Sequence, residues 1–271
     1  MIDYPTMNRV ALQIGPIKIF WYGILYAVSF LIGWRLILYR AKKFNLPWTR
    51  DQVADLIFYI ALGVVLGGRL GYMLFYDYAA FIHAPWLIIR IWEGGMSFHG
   101  GLLGVVIAVL LFGKKHRHTF FEIMDLIAPI VPLGLAAGRL GNFINAELMG
   151  RITTMPWGMI YPDGGPFPRH PSPLYELFFE GIVLFILLWT YASKPRPPMA
   201  VSGFFAIFYG IFRFSCEFFR QPDYQLGFIA FGWLTMGQLL SIPLIIAGLM
   251  MLKYAYRTKR PTPHRSRMKH K

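Results

Sequence analysis

Length, composition and charge already exclude most classes of protein. The chain has 271 residues, of which 56% are hydrophobic and only 15% charged, whereas a soluble domain carries about 25% charged residues. The formal net charge of +14 does not indicate nucleic-acid binding. The basic residues fall in short links between apolar runs and not on one face of a soluble fold. The composition therefore predicts a polytopic membrane protein with no nucleic-acid partner.

Seven apolar stretches come close to the length of about 20 residues that a spanning helix needs. They are Phe20–Tyr39, Val53–Phe75, Ser97–Gly113, Phe121–Ala137, Leu174–Tyr191, Val201–Phe219 and Trp233–Leu252. We therefore predict an all-α membrane protein with seven transmembrane helices, forming a single domain over residues 1–256. The first residues lack the pattern of a cleavable signal peptide, so the first helix is expected to act as the targeting signal.

Lysine and arginine are concentrated in alternate links between these stretches. The first, third and fifth links and the C-terminal tail are basic, whereas the second link holds only Arg90 and the sixth only Arg220. Because cytoplasmic loops are enriched in basic residues, the alternation predicts an extracytoplasmic N-terminus and a cytoplasmic C-terminus. The basic tail, residues 257–271, is expected to lie on the anionic inner surface of the membrane.

The fourth link, from about residue 138 to 173, is the longest and is rich in glycine and proline. It predicts a small extracytoplasmic head between helices four and five, in which Trp157–Tyr161 forms a short strand followed by a turn. The arginines of this link, Arg139, Arg151 and Arg169, break the pattern of basic cytoplasmic links. We interpret them as site residues.

Several polar side chains fall at one depth, near the outer ends of the predicted helices. They are Tyr22 on helix one, Arg69, Tyr72 and Tyr76 on helix two, His99 on helix three, Arg139 and Asn142 after helix four, and Arg213 and Glu217 on helix six. Ionisable groups at membrane depth are costly and are functional by default. We therefore predict one site in the outer half of the bilayer.

Each of these residues also has a structural interpretation, which the sequence leaves open. Arg213 and Glu217 are four residues apart and would neutralise each other on one helix face. Arg69 would extend to the outer interface, and the tyrosines would belong to the interfacial aromatic belt. His99 would be a hydrogen-bonded packing residue.

The chemistry of the expected site favours a phosphate. Arg139 and Arg213 have no excess of acids nearby in the predicted arrangement, and a guanidinium matches phosphate oxygens in geometry. At this depth the phosphate would belong to an anionic phospholipid. A histidine at the same level offers an acid or base near neutral pH. Together these groups suggest a displacement in which a phosphate-bearing group leaves.

Metal chemistry is not predicted. The histidines and acids lack ligand spacings such as H-E-x-x-H, and we expect no metal and no cofactor. The single cysteine, Cys216, excludes an internal disulfide and is interpreted as a packing residue.

The segment from Gly138 to Gly150, Gly-Arg-Leu-Gly-Asn-Phe-Ile-Asn-Ala-Glu-Leu-Met-Gly, resembles the signature of the bacterial prolipoprotein diacylglyceryl transferases. The motifs His99-Gly-Gly-Leu, Tyr22-Gly and Arg213-Phe-x-x-Glu-x-x-Arg220 resemble the same family, and the likeness extends over essentially the whole chain.

The resemblance implies a seven-helix enzyme of the bacterial inner membrane whose active site faces the outer leaflet. Such an enzyme transfers the diacylglyceryl group of phosphatidylglycerol to the cysteine thiol of a prolipoprotein lipobox and releases glycerol phosphate. Phosphatidylglycerol, the lipobox region and membrane lipid are the implied partners. The alternative is a transporter or flippase for an anionic lipid or solute, although transporters usually bind near the bilayer midplane between repeats. A structural scaffold, the third possibility, leaves the clustered charge unexplained.

The resemblance also implies roles for individual residues. Arg139 and Arg213 would hold the phosphate, and His99 would take or relay the thiol proton, with Tyr209 sharing that role. Glu147 and Glu217 would orient arginines. The full set expected to bind substrate is Tyr22, Arg69, Tyr72, Tyr76, Gly141, Asn142, Asn145, Glu147, Gly150, Arg151 and Glu217.

Overall fold

The computed structural model describes residues 2–91, 94–222 and 227–258 of the chain. The elements, in order, are strands β1 (Ile2–Asp3), β2 (Val10–Ile14) and β3 (Ile17–Phe20), helices α1 (Trp21–Lys43), α2 (Arg50–Phe75), α3 (Tyr78–His83), α4 (Phe98–His116), α5 (Phe120–Ile127) and α6 (Val131–Ile144), strand β4 (Met159–Ile160), and helices α7 (Ser172–Glu176), α8 (Leu184–Tyr191), α9 (Ala200–Cys216) and α10 (Met236–Thr258). A 3-10 helix at Pro85–Ile89 follows α3, and a π-helix at Leu177–Val183 joins α7 to α8. The predicted basic tail lies outside the described residues from position 259 onward.

Five helical segments in the described ranges are long and apolar enough to cross a membrane. They are Trp21–Lys43, Arg50–Phe75, Phe98–His116, Ser172–Tyr191 and Met236–Thr258. The bent pair α5 and α6 makes a sixth if it counts as one span, and α9, with 17 residues, is apolar but shorter. These helices confirm an all-α, multi-pass membrane protein. The count of seven spans and their orientation stay predictions.

The predicted fourth helix, Phe121–Ala137, differs from the observed helices at both its middle and its end. The chain bends by 54° between α5 and α6, where Pro129 and Pro132 interrupt the pattern of backbone hydrogen bonds. Beyond Ala137 the helix continues to Ile144. The first part of the signature segment, expected in the extracytoplasmic link, is therefore helical.

The chain divides into two compact units, residues 37–124 and the remainder, which combines residues 1–36 with 125–271. In the smaller unit, α2 and α4 cross through glycines. A Cβ atom added to Gly67 would lie 2.8 Å from the Cα of Gly104, and one added to Gly71 would lie 2.7 Å from the Cα of Gly100. Small residues of this kind allow membrane helices to approach closely without the hydrophobic driving force that operates in water.

The larger unit has a hydrophobic core in which Ala128, Leu184, Leu188, Ala192 and Val201 are buried together. The α9 helix packs on α10, and a Cβ added to Gly203 would lie 3.0 Å from the carbonyl oxygen of Gly248. Strands β2 and β3 form an antiparallel hairpin that leads directly into α1.

The predicted strand in the head is confirmed, with shorter bounds. Only Met159 and Ile160 are extended, and they pair in parallel with Ile2 and Asp3 of β1. The turn that follows is closed by a 3.0 Å hydrogen bond from Gly164 N to the carbonyl of Tyr161. The head is thus tied to the first residues of the chain, a contact that local pattern could not indicate.

Candidate active site

Arg139, on α6, is held by two carboxylates from the segment that begins at α7. Its Nε lies 2.6 Å from Oε2 of Glu176, and its Nη2 lies 3.5 Å from Oε2 of Glu180. Both glutamate side chains are almost completely buried, whereas 18% of the arginine side chain is exposed. An arginine at membrane depth needs such partners, because an isolated charge there is costly.

Arg213, on α9, joins the same acids. Its Nη1 donates to Oε1 of Glu176 at 3.1 Å and lies 3.8 Å from Oε1 of Glu180. Its Nη2 pairs with Glu217, one helical turn further on. The two arginines that the sequence singled out are therefore brought together by shared carboxylates, and Arg213 and Glu217 do pair on one helix face.

Two further side chains complete this buried cluster. Arg220 places Nη1 3.5 Å from Glu176 and Nε 3.7 Å from Glu217. Thr235, just before α10, donates its hydroxyl to Oε2 of Glu217 at 2.8 Å. We use the name charge cluster for the six ionisable residues Arg139, Arg213, Arg220, Glu176, Glu180 and Glu217. With three guanidiniums and three carboxylates, it is formally neutral.

The charge cluster corrects the expectation that the arginines have no excess of acids nearby. Glu176 and Glu180 were not among the predicted site residues, although they carry the pairing of both arginines. A sequence signal existed: two acids four residues apart at the start of an apolar stretch. Their partners lie on α6 and α9, so only the tertiary fold reveals the pairing.

The arginines nevertheless keep donors for an anion. Arg139 uses Nε and Nη2 for the glutamates, and its Nη1 has no hydrogen-bond or ion-pair partner among the described residues. Arg213 uses both Nη atoms, and its Nε likewise has no partner there. A phosphate could therefore bind to these remaining N–H groups while the glutamates hold the guanidiniums in place.

A π-helix positions the acids. Glu176 ends α7, and Glu180 lies within the π-helical segment Leu177–Val183. Such single π-turns occur frequently at functional sites. The segment packs closely on α6, since a Cβ added to Gly181 would lie 2.7 Å from the Cβ of Ala136. Tyr209, one turn before Arg213, is close enough to interact electrostatically with Glu180 and both arginines.

The signature segment on α6 is packed against α1. The ring of Tyr22 covers Gly141 so closely that any added side chain would clash with it, and the hydroxyl of Tyr26 lies 2.7 Å from the position of a Cβ on Gly138. Tyr22 is also within electrostatic reach of Arg139. Glycine at these two positions lets the tyrosines approach the helix that carries the arginine.

Glu147 contacts asparagines and not an arginine. Its carboxylate accepts from Nδ2 of Asn142 at 3.1 Å and from Nδ2 of Asn145 at 3.2 Å. The expectation that Glu147 orients an arginine is wrong for the contacts that the described residues make. Its carboxylate instead fixes the two amides at the end of α6.

Gly150 and Arg151 connect the head to the residues that follow α9. Gly150 N donates to the carbonyl of His170 at 2.9 Å. Arg151 donates from Nε to the carbonyl of Arg220 at 2.9 Å and from Nη2 to the carbonyl of Glu217 at 3.2 Å. Burial lowers the pKa of Arg151, an effect that the negative charge of Glu217 opposes. Arg151 therefore holds the backbone of two members of the charge cluster, Glu217 and Arg220.

His170, in the head, belongs to an aromatic network. Its Nδ1 lies 3.0 Å from the hydroxyl of Tyr175, which also accepts from Nε1 of Trp157 at 2.6 Å. Burial lowers the pKa of the His170 imidazole below its ordinary value. The neutral ring is thus favoured, as expected for a structural residue.

The other predicted site residues, Arg69, Tyr72, Tyr76 and His99, belong to the smaller unit. Arg69 is buried, and its guanidinium donates to four backbone carbonyls, those of Leu87, Ile88, Gly94 and Gly95. It therefore holds the segment that follows α2 in place.

The remaining residues of that group lie at helix ends. Tyr72 stacks on Tyr76 at the end of α2, with ring centroids 5.9 Å apart. His99 is exposed in the first turn of α4, next to Phe98. The prediction that these residues share a site with Arg139 stays a prediction.

Buried ion pairs among apolar helices define a class: an integral membrane protein with a buried cluster of charged side chains. The model of the family described as "Prolipoprotein diacylglyceryl transferase" matches residues 9–254. The chain belongs to this family. The resemblance found in the sequence is confirmed, and the chain is a transferase.

Individual relatives agree with the family match. A protein of Legionella pneumophila (strain Lens) is 61% identical over 93% of this chain and 98% of its own length. One of Coxiella burnetii (strain RSA 331 / Henzerling II) is 56% identical over 96% and 99%, and one of Pseudomonas aeruginosa (strain LESB58) is 54% identical over 97% and 99%. All three carry the name phosphatidylglycerol–prolipoprotein diacylglyceryl transferase. These relatives do not favour the transporter alternative.

Proposed function

We propose that this transferase moves the diacylglyceryl group of phosphatidylglycerol to the cysteine thiol of a prolipoprotein lipobox, forming a thioether and releasing glycerol phosphate. The names of highly similar, full-length relatives support both substrates. The observation that carries the proposal within the molecule is the pairing of Arg139 and Arg213 around shared carboxylates, with one donor of each left for an anion.

The displacement has a simple balance of bonds. The sulfur forms a bond to the glyceryl carbon, and the bond between that carbon and the phosphate oxygen breaks. Its electron pair leaves with the oxygen, so negative charge grows on the phosphate of the departing glycerol phosphate. The free N–H groups of Arg139 and Arg213 would stabilise that charge, and they are already oriented by Glu176 and Glu217.

The thiol must lose its proton before or during attack. A free thiol has a pKa of about 8.5 and is mostly protonated at neutral pH. We assign the proton acceptor as His99, with Tyr209 placed beside the charge cluster to assist. Tyr22, Asn142, Asn145, Glu147, Gly150 and Arg151 would then shape the pocket for the lipid head group. Arg69, Tyr72 and Tyr76 are proposed to bind substrate as well.

The proposed setting is the bacterial inner membrane. Alternating basic links support seven spans with the N-terminus outside, the C-terminus in the cytoplasm and the head in the periplasm. In this orientation the charge cluster faces the outer leaflet, where an exported lipobox would meet it.

The test uses purified protein in detergent with phosphatidylglycerol and a lipobox peptide that contains one free cysteine. Mass spectrometry should find a diacylglyceryl adduct on that cysteine together with released glycerol phosphate. A transporter needs two compartments and would give no adduct in detergent. Folded, lipid-bound protein that forms no adduct would contradict the proposal.

A further inference from the structure

Two buried carboxylate oxygens in the charge cluster, Oε2 of Glu176 and Oε1 of Glu180, accept no hydrogen bond from the described residues. Oε2 of Glu176 lies 2.6 Å from Nε of Arg139, whereas Oε1 of Glu180 has no contact that close. The side chain of Glu180 is completely buried, and its Oε2 meets Nη2 of Arg139 at 3.5 Å. Its Oε1 is buried and accepts no hydrogen bond from any described residue. The nearest cation, Nη1 of Arg213, is 3.8 Å away and donates to Glu176. Buried polar atoms rarely lack a hydrogen-bond partner, because no new hydrogen bond then offsets the free energy lost with their hydration.

No neighbouring described group donates to Oε1 of Glu180. Thr235 gives its hydroxyl to Glu217, and the Nη groups of Arg213 serve Glu176 and Glu217. The donors that remain are Nη1 of Arg139 and Nε of Arg213. They suit a phosphate, because its oxygens accept hydrogen bonds. The site thus offers N–H donors for a phosphate and, within the same cluster, an acceptor for a hydroxyl.

Phosphatidylglycerol carries this combination of groups. Its head group is a phosphate diester whose second substituent is a glycerol with two free hydroxyls. An acidic side chain beside a phosphate site is a known way to recognise adjacent hydroxyls, as in the acidic residue that binds the ribose of a dinucleotide. Resting on the proposed function, we propose that Glu180 is a specificity residue, whose Oε1 accepts a hydrogen bond from a hydroxyl of the head-group glycerol.

The placement of Glu180 on the π-helix supports this role. The π-turn Leu177–Val183 keeps Glu180 beside Arg139, while Glu176 at the preceding turn bridges both arginines. Glu176 has its charge matched by close contacts at 2.6 Å and 3.1 Å, whereas both contacts of Glu180 are 3.5 Å or longer. Glu176 therefore holds the arginines, and Glu180 has acceptor capacity left for a ligand.

The experiment compares two lipids that differ only in the hydroxyls: phosphatidylglycerol and phosphatidyl-n-propanol with the same acyl chains. Both have one negative charge and three head-group carbons. Initial rates of transfer to the lipobox peptide are measured in detergent over a range of lipid concentrations. If Glu180 accepts this hydrogen bond, kcat/KM of the unmodified chain should be about tenfold to a hundredfold higher for phosphatidylglycerol than for phosphatidyl-n-propanol.

Two substitutions separate recognition from structure. Glu180→Met keeps the length of the side chain but removes the acceptor. The kcat/KM values for the two lipids should then differ by less than about threefold, mostly because activity on phosphatidylglycerol is lost. Glu180→Gln keeps one acceptor oxygen and should retain an intermediate preference. Glu122→Gln is the matched control, because Glu122 lies outside the charge cluster and accepts a hydrogen bond from the N-cap amide of Thr119, which glutamine can also accept.

Equal use of both lipids by the unmodified chain would overturn the proposal, and this result does not require any variant to fold. A structural or peptide-binding role of Glu180 predicts that Glu180→Met slows both lipids by the same factor, which would also overturn it. If the unmodified chain transfers neither lipid, the proposed function fails. Native mass spectrometry of the purified protein mixed with both lipids then tests the binding preference alone. Preferential retention of phosphatidylglycerol supports the role of Glu180 in recognition, and equal retention contradicts it.

Discussion

Arg139 Nε lies 2.6 Å from Oε2 of Glu176, so the arginine of the signature segment is paired with an acid from a different helix. The pairing fixes the guanidinium in one orientation and leaves Nη1 for a ligand. Arg213 is fixed in the same way by Glu176 and Glu217. Because donors that are oriented before the reaction need no reorganisation during it, this arrangement suits stabilisation of charge on a leaving phosphate.

The first prediction concerns these two arginines. Arg139→Ala and Arg213→Ala should each lower kcat/KM by at least about a hundredfold, the loss typical of one oriented donor to a developing oxyanion. Arg→Lys at either position should restore little activity, since lysine cannot bind a carboxylate and a phosphate from a rigid fork. Arg9→Ala, at an exposed position, is the control and should retain full activity. Transfer assays on purified variants of normal thermal stability decide the question, and full activity in either arginine variant refutes the phosphate-clamp assignment.

The second prediction concerns the hydroxyl of Thr235. It donates to Glu217 at 2.8 Å and accepts from the amide of Gln238 at 3.3 Å, so it joins the charge cluster to the start of α10. Thr235→Val keeps the shape but loses both bonds and should lower the free energy of unfolding by about 1–2 kcal/mol. Thr235→Ser keeps the hydroxyl, so its free energy of unfolding and its transfer activity should be close to those of the unmodified chain. Thermal unfolding in detergent provides the measurement. Equal stability of the Val and Ser variants would show that the hydroxyl contributes nothing.

The sequence predicted much of the fold, because hydropathy depends on local composition. It located most of the helices, and the alternative of an Arg213–Glu217 pair on one face of α9 was correct. It placed Arg139 beyond the end of the fourth helix because the long apolar run ends there. In the structure α6 continues to Ile144, and Tyr22 packs into the space that Gly141 leaves.

The partners of the arginines could not be predicted in this way. Glu176 and Glu180 lie near the start of a spanning segment, where acids are usually read as helix-terminal residues. Their role depends on contacts with α6 and α9, which are distant in sequence. Glu147 was wrongly expected to orient an arginine, because nothing local distinguishes that role from its bonds to Asn142 and Asn145.

The third prediction tests the crossing of α2 and α4. A Cβ added to Gly104 would lie 2.9 Å from the carbonyl carbon of Gly63 and 3.0 Å from the Cα of Gly67, and a backbone cannot move aside as a side chain does. Gly104→Ala should therefore destabilise the protein by about 1–3 kcal/mol through overpacking. Gly134→Ala is the matched control, since nothing lies within 4 Å of its added Cβ. It should be neutral or stabilising by up to about 1 kcal/mol, as alanine favours helix more than glycine does. Similar melting temperatures for the two variants would contradict the close crossing.

The fourth prediction follows from the pKa of His170, which burial lowers below its ordinary value of 6.5. Between the folded and unfolded pKa values the unfolded chain binds more protons, so the free energy of unfolding rises with pH in that window. Stability should therefore fall as the pH is lowered from about 6.5 and level off below the folded pKa. His170→Gln should reduce this slope, whereas His83→Gln, at an exposed position, should not. Thermal unfolding between pH 5 and pH 7.5, about the range in which histidine titrates, provides the measurement. An unchanged slope in His170→Gln would rule out its contribution.

The fifth prediction concerns His99 as the acceptor of the thiol proton. His99→Asn should lower kcat/KM at pH 7 by about a hundredfold or more, the usual contribution of a general base. At pH 9 the substrate thiol, with a pKa of about 8.5, is already ionised in large part, so the variant should recover most of its activity relative to the unmodified chain. A residue needed only for packing would show the same loss at both pH values. His83→Asn serves as the control, because His83 is exposed at the end of α3 and should show no loss at either pH. If the loss in His99→Asn does not shrink as the pH rises, the proton must pass to another group, and Tyr209, beside the charge cluster, is then the first residue to substitute.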